Sequence, residues 1–460
     1  MSKFVNNFEY GTDTLLLQSY YGSYVNVLEN GVSLDGTDQL TNIQNIIDSN
    51  PNKVIYFPDG VYNVSGTIRT SATSTKRVVL YLSKYATIKA SNVFPAGNYL
   101  IDIGGKDSFD INDGTPLGII GGLIDTNFRA SGIKVEKCHM AIVSNLVITN
   151  LAHVGIDVEQ SQNVSADAQI RNVIVYGQPL LATNIGLVLN SSDNNVNTFR
   201  TMHTGKGIVL NGDANILNDC HVLCSQDTMT DYNNTVGYEV NSEHNQFDDI
   251  YSDNYSVGIY FKPGVAYFNV IGKYFAFWYS ASAGKTHAFL SGMFNNNVIG
   301  SISGNIPALG DNYIWHYTDT DVGRESQMSN QIRGMNIGTL KVTGHTYLKY
   351  QIFDYGFATL NDKATYFNGG SLSANTWIPV GAFVIPTVAN LPAKIGISLG
   401  NDTYADIYFS RSGVLKVDLK YAGATGRKLD ATMSYYTAEG GMFKVLVWVR
   451  PNFATEKRVS

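Results

Sequence analysis

Residues 155–163 read GIDVEQSQN, 186–194 GLVLNSSDN, 207–215 GIVLNGDAN and 237–245 GYEVNSEHN. Each begins Gly, apolar, any, apolar, and reaches Asn eight residues after the Gly. Two looser copies follow, GIYFKPGVAYFN from Gly258 with a three-residue insertion and HAFLSGMFN from His287, and GIKVEKCHM from Gly132 opens the series. The starts are separated by 23, 31, 21, 30, 21 and 29 residues, so short turns alternate with turns that carry an extra loop. A unit of this length cannot bury its apolar face alone but does so by stacking on its neighbours, which is the logic of a right-handed parallel β-helix.

Strand side chains alternate faces with period two, so the repeat also predicts direction. Ile156 and Val158, Leu187 and Leu189, Ile208 and Leu210, Tyr238 and Val240, and Ile259 and Phe261 are expected to face the lumen. The closing residues Asn163, Asn194, Asn215, Asn245, Asn269 and Asn295 are expected to stack at one turn, where side-chain amides hydrogen-bond along the axis.

Composition agrees with many short strands and tight turns. The 460 residues include 44 Gly, 44 Asn and 29 Tyr but only 11 Pro, which excludes a helical bundle. A net charge of −6 without a basic run gives no reason to expect nucleic acid. No apolar stretch is long enough to span a membrane, and MSKFVNNFEY lacks the apolar core of a signal peptide. Cys138, Cys220 and Cys224 make neither a disulfide framework nor a zinc pattern, so no metal or cofactor is expected.

Upstream, residues 30–68 read NGVSLDGTDQLTNIQNIIDSNPNKVIYFPDGVYNVSGTI. Asp38 is placed to cap a short amphipathic helix whose Leu40, Ile43, Ile46 and Ile47 cover the open end of the solenoid. Asp35-Gly36 and Asp38, Ile43-Gln44 and Ile47, then Phe57-Pro58, Gly60 and Tyr62 resemble the start of the pectate-lyase-like superfamily, especially bacteriophage tailspikes and capsule depolymerases. GIIGGLIDTN from Gly118 is similar to the early rung of that family. The resemblance implies a homotrimer on a phage virion, acting outside the host cell on a bacterial surface polysaccharide such as capsule, exopolysaccharide or wall polymer.

After about Gly334 the period is lost, and longer alternating strands predict a C-terminal antiparallel β-sandwich. The expected organisation is 1–30 for attachment to a tail or baseplate protein or for trimer contact, 31–335 for the β-helix, and 336–460 for trimerisation or carbohydrate binding.

Chemistry is sought on the outward columns. The segments NNVNTFRTM, NILNDCHVL, NQFDDIYSD and NVIGKYFAF align, with Phe199, Cys220, Ile250 and Tyr274 inward. Arg200, His221, Tyr251 and Phe275 then form one outward column, Thr198, Asp219, Asp249 and Lys273 a second, and Leu223, Asp253 and Phe277 a third. Turns stack about 4.8 Å apart, so Asp219 and Asp249 are expected to have neighbouring carboxylates, with Asp253 about 13 Å along. Glycoside hydrolysis needs such a carboxyl pair, one with its pKa raised by a like charge. Asp219, Asp249, Asp253, His221 and Tyr251 are therefore the catalytic candidates. Arg200, Phe275, Phe277, Trp278 and Tyr279 are candidates for holding sugar. The loops containing Pro179-Leu180, Met229 to Asn234, and Trp278 to Lys285 are read as groove walls.

A rival cluster comprises Glu136, Asp157 and Glu159 on adjacent turns beside Lys134, with Glu239 and Glu243 further along. Val188, Asn190, Val209 and Asn211 follow outward on the same strands, and suggest a sheet covered by another subunit. Hydrolysis fits the Asp residues. Lyase chemistry, with Arg200, His221 and Tyr251 acting at a uronic acid, is the alternative enzyme reading, and a non-catalytic receptor-binding spike of the same fold is the other.

Overall fold

The computed structural model describes residues 24–70, 78–104, 117–136, 140–159, 167–225, 228–262, 265–278, 285–292 and 297–305, and a set of strands between 311 and 459. It is a right-handed solenoid of parallel strands. Among the described residues, one sheet of 16 strands runs from Tyr24–Asn26 to Gln331–Ile332 and Met335–Ile337, and one of 10 runs from Ile68–Arg69 to Asp311–His316. The repeat is in register: Ile156 pairs with Leu187, Leu187 with Ile208, Ile208 with Tyr238 and Tyr238 with Ile259. All the expected lumen residues are fully buried.

The repeat glycines have a steric cause. A Cβ on Gly207 would stand 2.5 Å from the Gly237 carbonyl oxygen, and one on Gly237 2.6 Å from that of Gly258. Only a residue without a side chain lets successive turns stack that closely.

The asparagine ladder is present, with a different membership. Asn194, Asn215, Asn245, Asn269 and Asn297 are fully buried. Each Oδ1 accepts the backbone N–H of the preceding turn: Asn194 from Ala168 at 3.0 Å, Asn215 from Asn194 at 3.0 Å, Asn245 from Asn215 at 3.0 Å, Asn269 from Asn245 at 2.9 Å and Asn297 from Asn269 at 2.7 Å. Asn297 takes the place expected for Asn295, and Ala168 holds the turn before Asn194; Asn163 and Asn295 lie outside the described residues.

The strands of the larger sheet bend at a shared position. Asn145, Asn172, Thr198, Asp219 and Asp249 have φ of 56°, 52°, 54°, 49° and 48°. This left-handed conformation suits Asn and Asp, and it turns the chain at a corner. The pairing skips these residues, passing from Asn197 with Asn218 to Phe199 with Cys220.

The capping helix spans Leu40–Ser49 and buries Ile43, Ile46 and Ile47 against the first rungs. Asp38 lies one residue before the N-cap position, which Gln39 occupies without a side-chain cap. Asp38 Oδ1 still accepts the Leu40 N–H at 3.2 Å and the Ser65 N–H at 2.9 Å, tying the helix to the solenoid.

Parallel pairing extends to Met335–Ile337, which lies on Ile302 to Gly304. From Ser371 to Val459 every described pairing is antiparallel, in one sheet of five strands and one of three. Among the described residues no helix is long and apolar enough to cross a membrane.

Asn215→Ala removes the acceptor for the Asn194 backbone N–H and amide and the donor to the Gly212 carbonyl. Leaving buried groups unpaired costs about 1–3 kcal/mol each. We expect urea denaturation to show a loss of about 2 kcal/mol or more for this variant, and less than about 1 kcal/mol for Asn211→Ala on the exposed face.

Candidate functional site

Two of the three predicted outward columns are present in the strand pairing. Arg200 pairs with His221, His221 with Tyr251 and Tyr251 with Phe275, while Leu223 pairs with Asp253 and Asp253 with Phe277. Phe199, Cys220, Ile250 and Tyr274 are buried on the lumen side. The stacking of the turns lays the His221 ring flat on Tyr251, with centroids 4.2 Å apart and planes within 2°. Phe275 meets Tyr251 edge-on at 4.8 Å and is 38% exposed.

His221 Nε2 lies 2.9 Å from Asp253 Oδ2. An ionised carboxylate only accepts, so Nε2 is the donor in this contact. Asp253 is nearly buried, and its Oδ1 accepts no hydrogen bond of standard geometry. Burial, and then the adjacent Asp253 carboxylate, push the Tyr251 phenol well above its ordinary range, so it carries its proton at neutral pH.

Each of the three expected Asp has a local partner. Asp219 accepts a hydrogen bond from Thr198 Oγ1 at 3.2 Å, Asp249 pairs with Lys273 at 3.0 Å, and Asp253 holds His221. Asp219 and Asp249 occupy the left-handed corner, a structural reason for their residue type. Arg200 is exposed above His221.

Trp278 is not a sugar-stacking face. It is 1% exposed, donates its indole N–H to the Tyr255 carbonyl at 2.6 Å and packs edge-on against Phe289 at 5.1 Å. Strand alternation from Tyr274 through Ala276 carries it into the lumen. Phe277 is partly exposed, and Tyr279 lies outside the described residues.

The second cluster is more buried than its outward register suggested. Lys134 Nζ lies 2.7 Å from Glu136 and 4.0 Å from Glu159. Asp157 is 7% exposed and accepts from the Tyr99 hydroxyl at 2.5 Å and the Asn190 amide at 2.9 Å. Burial raises the Asp157 carboxyl despite these donors and Lys134. Burial and then Asp157 raise Glu159, with Lys134 opposing.

Asn190 in turn accepts from Asn211 at 2.7 Å, and Asn211 from Asn241 at 2.9 Å, so an outer file of amides ends on Asp157. Glu239 pairs with Lys206 at 2.5 Å and accepts from Asn241 at 3.0 Å. Val188 and Val209 are 8% and 5% exposed within a single chain, while Asn190 and Asn211 beside them are half-buried and exposed. Tyr99 had no sequence signal, because it reaches Asp157 from 58 residues away. The amide file had one, since Asn190, Asn211 and Asn241 all follow the repeat's second inward residue.

Among the described residues no group of three His, Cys, Asp or Glu is placed to hold a metal ion. Phe275→Ala is expected to leave the melting temperature nearly unchanged, whereas Trp278→Ala should cost about 3–5 kcal/mol in denaturant titration, as buried aromatics do.

No family model matches the chain, and no curated protein matches it. Among solved structures, the chain is similar to the tailspike protein of Acinetobacter phage vB_ApiP_P1, with TM-score 0.44 and 11% identity over 96% of this chain and 89% of that one. It is similar to a tailspike protein variant of E. coli bacteriophage HK620 in complex with a pentasaccharide, with TM-score 0.38 and 12% identity over 95% and 93%. It is also similar to PfbA, a surface adhesin of Streptococcus pneumoniae, with TM-score 0.33 and 13% identity over 68% and 93%.

Proposed function

We propose that this protein is a tailspike-type depolymerase, carried on a phage virion as a homotrimer, that binds and cleaves a bacterial surface polysaccharide. The observation that carries the reading is the His221–Asp253 pair set under an exposed aromatic strip. A sugar polymer offers apolar ring faces for Tyr251 and Phe275, and hydroxyls or a carboxylate for the exposed Arg200 beside them. The N-terminal cap, legible in the sequence, is the family's, and supports the same reading.

The chemistry that this geometry serves best is β-elimination at a uronic acid. Arg200 pairs with the uronate carboxylate, which makes the C5 proton more acidic. His221 Nδ1 takes that proton, oriented through Nε2 by Asp253. The electron pair becomes the C4–C5 double bond as the C4–O bond breaks, and the protonated Tyr251 phenol supplies the proton to the leaving oxygen.

Hydrolysis is the second reading, and one observation favours it. Glu136 and Glu159 both lie within 4.0 Å of Lys134 Nζ, and the Glu159 carboxyl is raised, as a general acid requires. The original trio of Asp219, Asp249 and Asp253 serves hydrolysis less well, because each has its own local partner.

The test is incubation with capsule and wall polysaccharides from a bacterial panel, following chain length and the ultraviolet absorbance of a conjugated double bond. We expect chain shortening with new absorbance, reduced about 10²–10⁴-fold by His221→Ala and by Tyr251→Phe, and retained by Asp219→Asn and Asp249→Asn. Shortening without absorbance, lost in Glu159→Gln, would move the chemistry to the second cluster. Binding without cleavage would leave a receptor-binding spike.

A further inference from the structure

A second column of left-handed residues runs along another corner, immediately before the buried asparagine ladder. Asp193, Ala214, His244 and Phe268 have φ of 61°, 56°, 61° and 53°. Each N–H except that of Phe268 is seen bonded to the next turn: Asp193 to the Asp213 carbonyl, Ala214 to that of Glu243 and His244 to that of Tyr267. The conformation recurs on successive turns, so consecutive side chains at this corner stack at the turn spacing.

Phenylalanine is an unfavourable choice there. A bulky side chain with positive φ is a true outlier, whereas the Asp193 and His244 of other turns are types that tolerate it. Phe268 is also 49% exposed, so it gains little burial in return. Its ring lies under His244, with centroids 5.2 Å apart and planes within 16°. Past the ladder, Val270 is 46% exposed on the Phe268 turn, and Gln246 stands beside it on the His244 turn. On the other side stand Asp213, whose Oδ1 accepts the Glu243 N–H, and Glu243, whose carboxylate is 3.8 Å from His244 Nδ1.

We propose that Phe268 and His244 form a carbohydrate-stacking platform, a binding subsite separate from the His221 face. The inference rests on the reading of the protein as a polysaccharide binder, and adds a second point of contact. The occupant follows from shape and polarity. The platform is a single file of rings bordered by carboxylates, whereas the centre of a protein interface is depleted of charge. A pyranose has one apolar face to lie on Phe268 and hydroxyls in its rim to donate to Glu243 and Asp213. Two subsites on one rigid solenoid bind one polymer more tightly than either alone.

Phe268→Asn separates binding from folding, because Asn adopts positive φ more readily than Phe. The probe is the polysaccharide extracted from whichever strain of a capsulated panel the wild-type protein retains, used in affinity electrophoresis with the full-length chain. We expect Phe268→Asn to bind about threefold to tenfold more weakly with a melting temperature at or above the wild type's, and Phe268→Tyr to bind as the wild type does. Unchanged binding by Phe268→Asn, while His221→Ala or Phe275→Ala weakens it, would overturn the platform and spare the broader reading. Retention of no polysaccharide by the wild type would overturn both. A change in solution mass on Phe268→Asn without a change in binding would show that the rings meet a second copy of the chain, and would also overturn the proposal.

Discussion

The asparagine ladder is the interaction on which the other positions depend. Each buried Oδ1 closes one turn onto the next by accepting a backbone N–H, from Ala168 through to Asn297. A solenoid has no long-range sheet closure to fix its register, so a periodic polar contact in a dry interior takes that part. Once the ladder is set, the repeat glycines stack, the lumen residues follow by alternation, and outward side chains fall into columns. The stacked His221 and Tyr251 rings are a direct product of that spacing.

Much of this was legible because it depends on periodicity. The Gly-to-Asn repeat fixed direction for residues from Ile156 to Phe261, and the columns through Arg200, His221, Tyr251 and Phe275 came out in the register read from the alignment. Trp278 was legible too. The alternation that put Tyr274 inward also put Trp278 inward, and only its nearness to a long loop made it look like a groove wall.

What could not be read depends on where the backbone leaves the strand conformation. Thr198, Asp219 and Asp249 look like ordinary strand residues in an alternating pattern, yet they sit at a left-handed corner. The recurrence of Asn145, Asn172, Asp219 and Asp249 at one position was the available clue, since short polar side chains tolerate that conformation. At that corner Asp219 takes Thr198 as its partner and Asp249 takes Lys273. Contacts between remote segments were not legible either: nothing in the sequence connects Tyr99 with Asp157.

The outer file of amides behaves differently from the buried ladder. Asn241 donates to Asn211, Asn211 to Asn190, and Asn190 to Asp157. The last acceptor is a carboxylate when ionised, and it cannot donate, so it fixes which way Asn190 faces and, through it, every amide behind. No member can turn over alone without setting like atoms against each other at both contacts. The file is thus one object with a single polarity, held at one end by the Asp157 carboxylate and at the other by Glu239, which accepts from the Asn241 amide, so protonating either carboxyl alone leaves the other still dictating the direction.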